Sequence, residues 1–105
     1  MVRHARRVDA NHGDIRSGLR ALGWEVLDLS GAGGGVPDLC VKLYRDGEPF
    51  KAPHFLEVKD GDKPLSKQAL TPAQEEWHRF CHPITSKVRS LEEAITALEW
   101  ARGRA

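Results

Sequence analysis

Apolar residues recur along the chain every three to four positions in some stretches and every second position in others, and the exchange between these periods lays out the elements. Ile15, Leu19 and Leu22 repeat at i, i+4 and i+7, so a helix is expected from about Ala10 to Leu22, with Asp9 as its N-cap and Gly23 as its stop. Trp24 to Leu29 reads as a first strand, with Val26, Leu27 and Leu29 as core candidates. A loop from Ser30 to Val36 follows, holding Gly31, Gly33, Gly34 and Gly35, and a second strand begins at Val36 or Leu39 and runs to Tyr44. Arg45 to Pro53 is a hairpin loop, with Asp46-Gly47 as turn signal and Pro49 and Pro53 as breakers. His54 to Lys59 is the third strand, and Asp60 to Leu70 a polar connection. Thr71 as N-cap, Pro72 at N1 and Gln74 at N3 form a capping box that opens a second long helix. Pro83 to Val88 is a short fourth strand, and Ser90 with Glu93 opens a last helix whose apolar face is Leu91, Ala94, Ile95 and Leu98. Residues 100–105, Trp100 and the Arg-Gly-Arg end among them, are expected to fray or lie on the surface as a C-terminal tail. The order α-β-β-β-α-β-α defines an α/β fold class, one mixed sheet with helices on both faces, in a single domain over 1–105.

Charge placement within this pattern points to chemistry. Asp38 and the Glu57-Val58-Lys59 segment are embedded in apolar residues, where Asp, Glu and Lys sit only if paired or ligating. Alternation puts Phe55, Glu57 and Lys59 on one face of their strand and Leu56 and Val58 on the other. If the second and third strands pair antiparallel, Asp38 opens one and Glu57 and Lys59 close the other, so the three charges meet at one end. Two carboxylates and an ammonium gathered there suit a hard divalent cation with a proton-transfer or charge-stabilising group beside it.

These residues also carry a resemblance. Pro37-Asp38, a spacer and Glu57-Val58-Lys59 resemble the PD-(D/E)XK nuclease signature, and Leu70 to His78 resembles the Gln-bearing helix of its VRR-Nuc branch. The likeness runs from about Val8 to Leu98. It implies a restriction-endonuclease-like fold and a metal-dependent endonuclease acting on DNA. Asp38, Glu57 and the main-chain carbonyl of Val58 would then hold Mg²⁺ or Mn²⁺. Lys59 would orient the attacking water or stabilise the transition state, and Gln74 would face the metal or the scissile phosphate. Asp14 stands where the family carries a Glu on its first helix, with a shorter side chain; it is otherwise a polar helix residue. Small stand-alone VRR-Nuc proteins look like phage or bacterial enzymes that cut branched DNA, such as four-way junctions, as homodimers, and the resemblance extends that substrate and assembly to this chain.

Composition narrows the rest. Sixteen basic residues against fifteen acidic ones leave a net charge of +1, so any nucleic-acid footprint must be local. Met1 to Arg7 is a basic arm in which Arg3, Arg6 and Arg7 are candidates for phosphate contact, or else a solvated tail. The glycine loop, Gly34 included, allows close approach of a DNA strand just before Asp38, or is a flexible turn; it lacks the Gly-Lys-Ser/Thr of a P-loop. Lys63 and Lys67 follow the site in sequence and could steer phosphates. His78, Cys81 and His82 have helical metal spacing but no partner cluster, so packing explains them better. Cys40 and Cys81 form no C-x-x-C pair, which favours reduced thiols in a cytosolic setting, and the resemblance to small phage or bacterial proteins implies the cytoplasm of a bacterium or a phage-infected host. No apolar run reaches membrane-spanning length and no signal peptide opens the chain. Trp24, Phe50, Phe55 and Trp100 exceed the needs of a small core and supply material for a homodimer at the hairpin and nearby strand surface. Rival readings are a non-catalytic DNA-binding module, a dimeric interaction domain with a structural ion-pair network, and a monomeric nickase or flap endonuclease.

Overall fold

A computed structural model of the chain describes residues 11–103. The basic arm with Arg3, Arg6 and Arg7, and the expected helix start at Asp9 and Ala10, lie outside them. Eight elements follow in order: α1 (His12–Ala21), β1 (Val26–Asp28), β2 (Leu39–Val41), β3 (His54–Val58), α2 (Leu65–Gln68), α3 (Pro72–Phe80), β4 (Thr85–Val88) and α4 (Leu91–Gly103). The strands form one mixed sheet in the order β1-β2-β3-β4. β1, β2 and β3 pair antiparallel, with Leu27 opposite Cys40 and Cys40 opposite Phe55, and β4 runs parallel to β3, with Glu57 opposite Lys87. A parallel pair needs a crossover, and α2 with α3 provides it.

Apolar residues on one sheet face make the core. Leu39, Val41, Leu56, Val58 and Val88 are buried there against Ile15 and Leu19 of α1 and Ala94 and Leu98 of α4. The two helices approach closely at Gly18, where a Cβ would stand 2.7 Å from a Leu91 methyl. α3 lies on the opposite face. Its Trp77 ring meets Phe55 edge-on at 5.4 Å, and Trp77 Nε1 donates to Thr85 Oγ1 at 3.2 Å.

Several expectations change in detail. Strands β1 and β2 are shorter than the alternation suggests, three residues each. Leu22 lies past the end of α1 and is exposed rather than on its buried stripe. The polar connection contains α2, a single turn that the charged sequence does not announce. The stretch from Trp100 to Gly103 is helical, not a tail. Ala101 is buried, the Arg102 carbonyl accepts from Lys51 Nζ, and the Arg102 guanidinium pairs with Glu48 at 3.0 Å. A cation near the last carbonyls also suits the helix dipole. Thr71 and Gln74 form the expected capping box. At α4 only half of one forms: Ser90 Oγ accepts from the Glu93 N–H at 3.1 Å, while the Glu93 carboxylate reaches past Ser90 to the Arg89 N–H at 2.9 Å. No helix of the described residues is long and apolar enough to cross a membrane.

A polar cluster ties α1 to the sheet edge. Asp28 accepts from the Ser30 N–H at 2.9 Å and from Arg16, and lies 3.1 Å from Nε2 of the buried His12. Partial burial opposes its ionisation, but the bonds from Ser30, His12 and Arg16 outweigh that and hold the carboxyl well below the usual carboxylate range. A depressed carboxyl stabilises the fold above its unfolded pKa, and that contribution is lost as pH falls through the folded value. Asp28→Asn should therefore cost about 1–3 kcal/mol at pH 7, and the gap from the parent should narrow as pH drops below about 4. Urea unfolding of both proteins at neutral and acid pH measures it; a gap that does not change with pH would remove Asp28 from this role.

Candidate active site

β2 and β3 set the site by register. Leu39 stands opposite Leu56, so the next pair outward brings Asp38 against Glu57, on the face that carries Cys40 and Phe55. Antiparallel pairing ends at Leu39, and beyond it the Asp38 side chain continues the bonding: its Oδ2 accepts the Val58 N–H at 2.8 Å. Both carboxylates are buried, Asp38 to 4% and Glu57 to 1% exposure. Pro37 packs into the interior just before Asp38 and has no N–H to leave unpaired there.

Lys59 lies one residue beyond β3 and is held by three elements. Its N–H donates to the Val88 carbonyl at 2.9 Å, its carbonyl accepts from Asn11 Nδ2 at 3.0 Å, and its Nζ donates to Gln74 Oε1 at 3.0 Å. The ammonium is thus buried at 8% exposure against a side-chain amide, a placement that requires hydrogen-bonding partners. Gln74 serves two ends with one atom, because Oε1 also accepts the Thr71 N–H at 2.9 Å and closes the capping box. The cap bond and the bond to Lys59 are therefore made together by one oxygen.

Gly35 brings the second strand and the third helix into contact. Its φ is +84°, and a Cβ there would fall 2.4 Å from the Ala73 carbonyl oxygen. Only glycine lets the loop before Asp38 rest on the first turn of α3.

Two further groups on this face were not read as site residues from sequence. Lys87 stands opposite Glu57 across the parallel pair, with its Nζ bonded to the Gln68 carbonyl at 3.2 Å. His78 follows Gln74 by one helical turn. Burial, then the charges of Lys87 and Lys59, push its pKa below the ordinary imidazole value, and its Nε2 is buried with no hydrogen-bond partner among the described residues. Asn11, which holds the Lys59 carbonyl and, at 2.7 Å, the Arg89 carbonyl, also lacked a sequence signal. The i, i+4 spacing of Gln74 and His78 was the one available clue.

Asp38, Glu57, Val58, Lys59 and Gln74 are brought together. Asp14 is not: it is exposed on α1 and lines a separate groove with Asp60, Asp62 and Arg89. Among the described residues no three Asp, Glu, His or Cys side chains form a group able to hold a metal. Gly34 is exposed in the loop leading to Asp38, and Lys63 and Lys67 are exposed beyond β3, Lys67 on α2. The donor set nonetheless suits a hard cation. Two carboxylates with a main-chain carbonyl are oxygen ligands, and Mg²⁺ retains several waters in an octahedral shell. Comparison with protein-family models, with curated proteins and with solved structures finds no match.

The double duty of Gln74 yields a test by substitution. Gln74→Ala should keep the bond from its N–H to Thr71 Oγ1 but lose the Oε1 half of the box, about 0.5–1 kcal/mol, and also strand the Lys59 ammonium. Gln74→Glu keeps an N3 acceptor and should melt near the parent temperature. Thermal unfolding of the pair checks this: equal melting of Gln74→Ala and the parent would mean that neither bond contributes.

Proposed function

We propose that this chain is a divalent-metal-dependent endonuclease that hydrolyses phosphodiester bonds in DNA, on a restriction-endonuclease-like fold. One observation carries the reading: Asp38 and Glu57, both buried, lie at adjoining ends of the paired strands β2 and β3, and Gln74 holds the buried Lys59 just past β3. A structural ion-pair network would not require an amide on a separate helix to steer the ammonium. The antiparallel β1-β2-β3 unit, the helical crossover and the parallel β4 support the fold assignment.

Asp38, Glu57 and the Val58 carbonyl would hold Mg²⁺ or Mn²⁺, which when bound lowers the pKa of its water and offsets charge on phosphate oxygens. The Val58 N–H fixes the rotamer of Asp38, so that ligand is aligned before any ion arrives. Lys59 keeps a cation beside the two carboxylates, where it can orient a water or meet charge building on a phosphate. Lys63, Lys67, the loop at Gly34 and the arm with Arg3, Arg6 and Arg7 would supply backbone contacts to the DNA.

The substrate we favour is branched DNA, cut by a homodimer. A single site makes one nick, and symmetric cutting of a four-way junction needs two, which a two-fold pair would supply. Of the aromatic residues expected at such an interface, Trp24 packs on the core and Phe55 on Trp77; Phe50 and Trp100 are exposed, and Trp100 on α4 is the one we assign to the pair. Light scattering at micromolar concentration should give twice the chain mass. A monomer mass both free and on junction DNA would favour a nickase or flap cutter.

The chemistry is tested on labelled junction, flap and linear DNA. Asp38→Asn, Glu57→Gln and Lys59→Ala should each bind DNA yet cut on the order of 10² times more slowly. Ca²⁺ should support binding with little cutting. Full cutting in excess EDTA would end the metal reading, and a parent protein that binds without cutting would leave a DNA-binding module.

A further inference from the structure

The sheet face that carries the site is unevenly covered. α3 lies over β3 and β4, but across β1 and β2 the same face is open, with Leu27 61% and Phe50 75% exposed. A groove of about 360 Å³ runs there, floored by Cys40, Lys42 and Tyr44, with Leu27 and Glu25 on one side and Phe50 of the hairpin loop on the other. Its volume is at the small end of ligand-sized sites. Cys40 lies on the site face of β2, and Lys42 and Tyr44, just past the strand's end, line the same groove. The floor therefore begins two residues from Asp38, roughly 7 Å along the chain.

The lining selects the occupant. Tyr44 and Phe50 form a tilted aromatic pair at 5.5 Å, and Lys42 Nζ lies 4.7 Å over the Tyr44 ring. The Lys42 charge is met by Glu25 at 3.0 Å, and Lys51, which also lines the groove, directs its Nζ to the Arg102 carbonyl, so both cations are engaged and the groove offers mainly flat apolar surface. That suits an uncharged planar group with a polar edge, not a phosphate. A base inside a duplex has both faces covered by its neighbours, whereas an unpaired base can stack on aromatic side chains. A second copy of the chain is less suited. A stable interface draws on the order of 800 Å² from each partner and keeps charge from its centre, while Lys42 stands in the middle of this floor.

Resting on the nuclease reading above, we propose that this groove takes one unpaired nucleobase of the DNA strand adjoining the phosphate at Asp38, Glu57 and Lys59. The groove thereby makes strand separation near the cut a feature of the substrate. Phe50 is the principal stacking surface and Leu27 the opposing wall.

The test uses the full chain with Ca²⁺ and two probes, a blunt duplex and the same duplex bearing a short single-stranded flap that carries 2-aminopurine at successive positions. The parent should change the fluorescence at one flap position. Phe50→Ala and Leu27→Ser, both at exposed positions and checked for fold by circular dichroism, should abolish that change. They should weaken flap binding about ten-fold, as expected for a lost base stack, and leave duplex binding within two-fold. Equal effects on both probes, or none, in a parent that binds and cuts DNA would overturn the groove proposal while the nuclease reading stands. A halved mass in light scattering with equal loss on both probes would assign the groove to a second copy instead. A parent that neither binds nor cuts either DNA would remove the nuclease reading, and this proposal with it.

Discussion

The Asp38 carboxylate takes a main-chain hydrogen bond that a longer β2 would have taken, and the geometry around it follows from that exchange. Because the ladder ends at Leu39, the Val58 N–H must find another acceptor in the interior, and an unmade bond there costs about 1–3 kcal/mol. The side chain of Asp38 meets that need and is oriented by it. Glu57 then lies opposite, and Lys59 emerges where β3 ends, directed at α3. A bond made for backbone satisfaction thus arranges three charged groups.

Holding those groups out of water is costly, and a domain of this size has little stability to spare. The fold contains the cost by giving the ammonium a neutral partner. Gln74 satisfies Lys59 without cancelling its charge, so the cation is not consumed in a simple pair. Placing that amide on a capped helix end, locked by Thr71, gives it a fixed origin. Gly35 then seats the Asp38 loop against the same turn.

Period and punctuation in the sequence were enough to foresee the mixed sheet, the helices that flank it and the meeting of Asp38 with Glu57, because alternation and a hairpin are local properties. What could not be foreseen depends on contacts distant in the chain. Lys87 comes beside Glu57 only through the parallel register of β4, and Asn11 reaches the Lys59 carbonyl across the packed helices. The final turns of α4 looked like a tail because Arg-Gly-Arg is polar, yet Glu48 and Lys51 hold Arg102 from the hairpin loop. α2 is a single turn of weak formers, below the length at which pattern is informative. Asp14 shows the opposite failure: its place on the first helix suggested the site, but the helix turns it to solvent.

The shared oxygen of Gln74 has a thermodynamic consequence. When one acceptor serves both a helix end and a buried cation, the two equilibria are linked, and linkage is reciprocal. A ligand that draws the Lys59 ammonium away changes how firmly Oε1 holds the Thr71 N–H. Fraying of the first turn of α3 changes, by the same free energy, the affinity for any ligand that competes for that ammonium. Order in that turn and the freedom of the Lys59 side chain are therefore conjugate quantities, each readable through the other.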